Sequence, residues 1–139
     1  MSVIDHRDPD TLPTWQFDWG AITWHVTPDS VPGAASTVGE VIINPGHGHA
    51  AHTHDDADEI LYIIDGVGEQ TVGDHPSFRV VAGDAVNVPR GTVHSTFNRG
   101  WRPLRILAVY TPGGAENALR GLPDFHEIPA GEAPRWVQA

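Results

Sequence analysis

The chain of 139 residues contains no cysteine, and because its eight basic residues are all arginine it contains no lysine either. These absences exclude disulfide frameworks, cysteine nucleophiles, thiolate-ligated zinc or iron–sulfur centres and Schiff-base chemistry. Long apolar runs are also missing. None is longer than Ile60 to Ile64, far short of the roughly 20 residues that cross a bilayer as a helix. Positive charge is scarce, with eight basic against 18 acidic residues and a net charge of −10. That balance repels phosphate backbones and anionic membrane surfaces, so neither nucleic acid nor membrane is an expected partner. Met1 to Asp10 carries acids where a secretory signal has a basic and then an apolar segment, and the expected location is the cytoplasm.

Histidine is plentiful by contrast, with nine copies. Chemistry near neutral pH is left to imidazole, carboxylate and a few hydroxyls. The length fits one domain, whose core can bury roughly two thirds of the surface exposed by the unfolded chain. The 15 glycines and 12 prolines make up about a fifth of the chain, against roughly an eighth in average usage, which favours short strands joined by turns.

Eight strands are expected: Ala21 to Thr27, Ser36 to Asn44, Glu59 to Asp65, Glu69 to Val72, Phe78 to Val81, Ala85 to Val88, His94 to Asn98 and Leu104 to Tyr110. Turn signals such as Pro45-Gly46, Gly73-Asp74, Gly83-Asp84 and Pro89-Arg90-Gly91 separate them. The pattern reads as an all-β sandwich or barrel of jelly-roll type, with a turn or two of helix at Ala115 to Arg120. The proline- and tryptophan-rich ends read as extended arms. Trp15, Trp19, Trp24 and Trp136 are expected to pack on the outer wall or across a subunit interface.

Four histidines and four acids fall between Gly46 and Glu59. On a strand, positions i and i+2 face the same way, so His52 and His54 present two imidazoles side by side. Glu59 opens the next apolar run and can return its carboxylate to the same space, and His94 begins a later strand. Three neutral imidazoles and one carboxylate suit one divalent transition metal such as Fe, Mn, Ni, Co or Zn. Asn98 shares strand parity with His94 and is open to either a hydrogen-bonding role beside the ligands or a structural role in the turn. Asp55, Asp56 and Asp58 read as a solvated acidic turn. Ser95 follows His94, but no G-x-S-x-G elbow surrounds it.

In these residues the chain resembles the cupin superfamily, specifically its small single-domain members. Gly46, His52, His54, Glu59 and Gly66 match the motif G-x5-H-x-H-x4-E-x6-G, and Gly83, Pro89, Gly91, His94 and Asn98 match G-x5-P-x-G-x2-H-x3-N, with no departure in either block. The resemblance implies a jelly-roll β-barrel that binds one divalent metal through His52, His54, Glu59 and His94. It places the barrel core at residues 36–111 of a single domain, between an N-terminal arm with the first strands (1–35) and a C-terminal arm (112–139). It also implies a homodimer.

His47 and His49 form a second i, i+2 pair without the motif's upstream glycine. They are candidate catalytic residues for proton transfer or substrate contact at the cavity mouth, with a solvated loop as the plainer alternative. Strand parity assigns Val41, Ile43, Leu61, Ile63, Phe97, Ile106 and Tyr110 to the cavity wall, which suits a small, fairly apolar organic substrate better than a sugar phosphate. With iron, the site suits an oxidoreductase of dioxygenase type. With zinc, manganese or nickel it suits isomerase, epimerase, cyclase or lyase chemistry. Binding of a small molecule without turnover is the third reading.

Overall fold

The structure, a computed structural model, describes residues 6–134. A short 3-10 helix, Pro9–Thr11, leads into β1 (Thr14–Phe17), β2 (Gly20–Val26) and β3 (Thr37–Ile43). The central strands are β4 (Gly48–His52), β5 (Asp58–Asp65), β6 (Val67–Val72), β7 (Phe78–Val81), β8 (Ala85–Val88), β9 (His94–Phe97) and β10 (Leu104–Thr111). A second 3-10 helix, Ala115–Gly121, and β11 (His126–Ile128) complete the described chain.

The strands form two antiparallel sheets of jelly-roll type, a seven-stranded one in the order β11-β1-β2-β3-β10-β5-β8 and a four-stranded one in the order β4-β9-β6-β7. Alternation drives this arrangement. In β10, Leu104, Ile106, Ala108 and Tyr110 are buried while the residues between them are not, and β5 buries Glu59, Leu61 and Ile63 in the same rhythm. The register sets Ile106 opposite Ile63 and Tyr110 opposite Glu59, so the glutamate enters the interior among apolar neighbours. Each fully buried Ile or Leu contributes roughly 1.5–3 kcal/mol, and Ile43, Ile63, Leu104 and Ile106 are all at most 1% exposed.

All eight expected strands are present with ends shifted by a residue or two, and β1, β4 and β11 are added to them. β1 pairs with β2 on one side and with β11 on the other, which brings the first and last strands side by side in the large sheet. The tryptophans explain this: Trp15, Trp19 and Trp24 are 5–8% exposed and belong to the core rather than to the outer wall. Trp15 meets Trp24 and Phe125 edge-on, at 6.0 and 5.3 Å between ring centroids. Trp136 lies outside the described residues. Gly39 is the sequence's accommodation to this packing, because a Cβ there would lie 2.3 Å from Trp24 Cε3.

Candidate metal centre

β4 carries the first histidines, and its pairing with β9 is irregular. Gly48 and His49 face Phe97 and Thr96, but the register shifts before His52 reaches His94. The bulge absorbs Ala50 and Ala51, which are exposed. As a result His49 and His52, three apart in sequence, face the interior together, where simple alternation would separate them. His47 lies exposed before the strand, outside the cavity, so of the second pair only His49 enters.

His54 follows the end of β4. Its carbonyl accepts a hydrogen bond of 2.9 Å from the Gly91 N–H, and Gly91 has a positive φ of 74°, a conformation that favours glycine. This contact ties the first motif to the second. Glu59 is carried inward by β5 and His94 by the start of β9. The candidate ligand atoms of His52, His54, Glu59 and His94 all lie within 4.8 Å of one another. The four residues predicted as ligands are therefore brought together.

Hydrogen bonding outside the cluster selects the ring nitrogens. His94 Nδ1 donates to Thr92 O at 2.9 Å and His52 Nδ1 donates to Ala50 O at 2.7 Å, which leaves Nε2 as the nitrogen available to a ligand in each; that of His94 lies 3.0 Å from Glu59 Oε2. Such carbonyl contacts orient metal-binding imidazoles. His49 Nδ1 lies 2.9 Å from His52 Nδ1, a further acceptor on the same proton.

The electrostatics suit a cation. His54 Nε2 is buried without a hydrogen-bond partner, although it approaches Glu59 Oε2 to 3.1 Å. Burial raises the proton affinity of Glu59, but the adjoining His54 and His94 rings outweigh it and hold the pKa down to about 2. For His94, burial acts to lower the pKa, and the Glu59 hydrogen bond of 3.0 Å together with the Thr92 carbonyl reverses this, so the net shift is upward. Burial, with a contribution from His49, lowers His52 to about 3, and burial also lowers His49. A divalent ion fits this donor set: it supplies the partner His54 Nε2 lacks and replaces the proton between His94 and Glu59.

The cluster opens on a cavity of about 40 Å³. Val41, Ile43, Leu61, Ile106 and Tyr110 line it as expected; Ile63 and Phe97 do not. Phe97 has the opposite parity to His94 and lies on the other face of β9, with Arg99 over its ring at 4.9 Å. Thr96, which shares the parity of His94, takes the wall position and donates to the buried Gln70 Oε1 at 2.6 Å. Trp19, Ile22 and Leu119 complete the wall without having been expected there. Trp19 meets His49 edge-on at 5.0 Å. Parity alone could have found Thr96, whereas Leu119 reaches the cavity only because the second 3-10 helix folds back over it.

The neighbouring motif residues are structural. Asn98 is fully buried; its Nδ2 donates to Ile43 O and Arg102 O at 2.9 and 2.7 Å, and its Oδ1 accepts from Gly100 N–H at 2.9 Å. This is the turn role. Asp58 points away from Glu59 to Arg90, whose hydrogen bonds lower its pKa. Ser95 meets Thr71 at 2.6 Å, outside the cavity lining.

Two antiparallel sheets enclosing a three-histidine, one-carboxylate cluster define a jelly-roll protein with a candidate metal site. The family model described as Cupin domain matches residues 39–110, and the chain belongs to this family. An uncharacterized protein of Methanocaldococcus jannaschii is 34% identical over 112 residues, covering 81% of this chain and 89% of that one. Among solved structures, the Lactobacillus farciminis oxalate decarboxylase in a formate complex aligns with a TM-score of 0.68 at 24% identity, over 74% of this chain and 32% of that enzyme. A Thermotoga maritima protein described as a predicted oxalate decarboxylase aligns with a TM-score of 0.65 at 22% identity, over 77% and 98% of the two chains. This chain spans about a third of the L. farciminis enzyme, and at these identities the likeness is one of fold.

Proposed function

We propose that this protein is a metal-dependent oxidoreductase of dioxygenase type, acting on a small and largely apolar organic molecule that offers oxygen donors. His52, His54, Glu59 and His94 would hold a divalent ion, which would supply Lewis acidity to an oxygen-donor substrate and to dioxygen. The observation that carries the reading is the wall around the cluster. Val41, Ile43, Leu61 and Ile106 are aliphatic, and the lining includes no arginine. The chemistry of this wall favours dioxygen and an apolar substrate over a dianion such as oxalate, for which it offers no arginine. The reading thus departs from the activity named for the two solved neighbours.

The protein's own contribution is orientation and dryness. The carbonyls of Thr92 and Ala50 hold two imidazoles in one tautomer, and Leu119 and Trp19 restrict water. A second reading, a metal-dependent isomerase, cyclase or lyase, is favoured by His49. Burial lowers its pKa and it lines the cavity, where a proton-transfer role would require its Nδ1 to give up the His52 contact. A homodimer remains part of the proposal, supported by the exposed Ile60 and Tyr62 on the outer face of β5.

The test loads the protein with Fe, Mn, Ni, Co or Zn in turn and measures oxygen uptake on a panel of phenols and diketones. Uptake with iron supports the dioxygenase. Turnover with zinc or nickel, without oxygen dependence and abolished by His49→Gln, supports the second reading instead. A monomeric mass in solution removes the dimer.

A further inference from the structure

The wall of the metal cavity carries one hydroxyl that neither the fold nor the candidate ligand set uses. Tyr110 is 5% exposed and lines the cavity together with His52, Glu59 and His94. The alternation of β10 turns it inward, and the register sets it between Thr37 of β3 and Glu59 of β5. Its ring lies 4.8 Å from that of His54 and 5.5 Å from that of Trp24, centroid to centroid. The phenol is thereby fixed beside two of the four candidate ligands.

The other hydroxyl on this wall is already committed, because Thr96 Oγ1 donates to Gln70 Oε1 at 2.6 Å. The Tyr110 hydroxyl makes no hydrogen bond among the described residues. That is unusual, since a buried phenol normally finds a partner. Nor is its oxygen sealed from a water-sized group, as His54 Nε2 and Trp24 Nε1 are. It therefore meets the open space of the cavity that its ring lines, where a bound molecule can reach it.

At neutral pH a phenol keeps its proton, so the idle group is a donor. Hydrogen bonds from such a donor are strongest to an oxygen that carries negative charge. One free donor on a wall without arginine suits a single anionic oxygen rather than two. Resting on the reading that an oxygen-donor molecule occupies this cavity, we infer that Tyr110 is its specificity-determining residue: the phenol donates a hydrogen bond to an oxygen of the bound molecule and so selects a small monoanion, such as a carboxylate or an enolate.

Titration calorimetry on the zinc-loaded full chain tests this with acetate, which accepts a hydrogen bond, and with imidazole, which binds a metal ion but has no acceptor left for the phenol. In Tyr110→Phe, with its zinc content verified, acetate should bind about tenfold more weakly and imidazole about as in wild type. Carbon-13 NMR of ring-labelled tyrosine follows the same contact in the unaltered protein, should the variant not fold. Tyr110 is one of two tyrosines, and its Cζ resonance should shift with acetate and not with imidazole. Unchanged acetate binding in the variant, equal weakening of both ligands, or no saturable binding of acetate to wild type overturns the inference. None of these readouts uses dioxygen, so the inference can fail with the dioxygenase reading intact and can stand where that reading fails.

Discussion

Acidification of the metal-free protein should expose how the histidine cluster is held. His52 is lowered from 6.5 to about 3, chiefly by burial and next by His49. Between these two values the unfolded chain binds a proton that the folded protein refuses, so stability falls as the pH is lowered through this window. Each pH unit costs about 1.36 kcal/mol, which makes the His52 share about 2 kcal/mol between pH 6.5 and 5.0 and about 5 kcal/mol over the whole window. The Glu59 contribution has a different window: its pKa is depressed from 4.5 to about 2, so its stabilisation is complete at pH 7 and lost only as the pH falls below about 4.5. The raised His94 acts with the opposite sign, stabilising at low pH and losing that contribution as the pH rises through its folded value. The perturbation is His52→Asn, and the assay is urea unfolding of chelator-stripped protein at pH 7.5 and 5.0. Wild type should lose about 2 kcal/mol more than the variant, seen as an additional fall of about 1 M in its urea midpoint. Equal losses in the two proteins would refute the reasoning.

Gly39→Ala should destabilise the fold by about 1–3 kcal/mol, because the new Cβ would sit 2.3 Å from Trp24 Cε3 and the indole is locked in the core; a lower Tm with native circular dichroism is the expected readout. Asn98→Ala should cost about 2–4 kcal/mol, since it removes the amide partners of Ile43 O, Arg102 O and Gly100 N–H at once, and an unchanged denaturation midpoint would contradict the turn role. Metal binding should release protons, and more of them as the pH is lowered, because the ion competes with the proton that His94, its pKa raised, shares with Glu59. Calorimetry in buffers of different ionisation enthalpy measures that release.

The motifs anticipated which four side chains converge because they fix both ends of a local geometry. His52, His54 and Glu59 flank one short loop, and Gly91 positions the turn that brings His94 opposite His52. Two kinds of feature were less legible. The bulge at Ala50 and Ala51 lets a residue three positions before His52 share its face, which simple parity cannot foresee. β1 and β11 were not foreseen because they are short, and their pairing is visible only once the chain has closed on itself. Trp19 and Leu119 reach the cavity for the same reason: long-range packing, rather than local spacing, puts them there. Phe97 was placed on the wall against the parity of its own strand, and β9 turns it outward.

The central claim, that His52, His54, Glu59 and His94 together hold one divalent metal, is tested most directly by metal content after reconstitution and removal of excess ion. Wild type should retain about one equivalent per chain, while Glu59→Gln and the double variant His52→Ala, His54→Ala should retain little, with His47→Ala unchanged. Full retention by the folded double variant would contradict the claim.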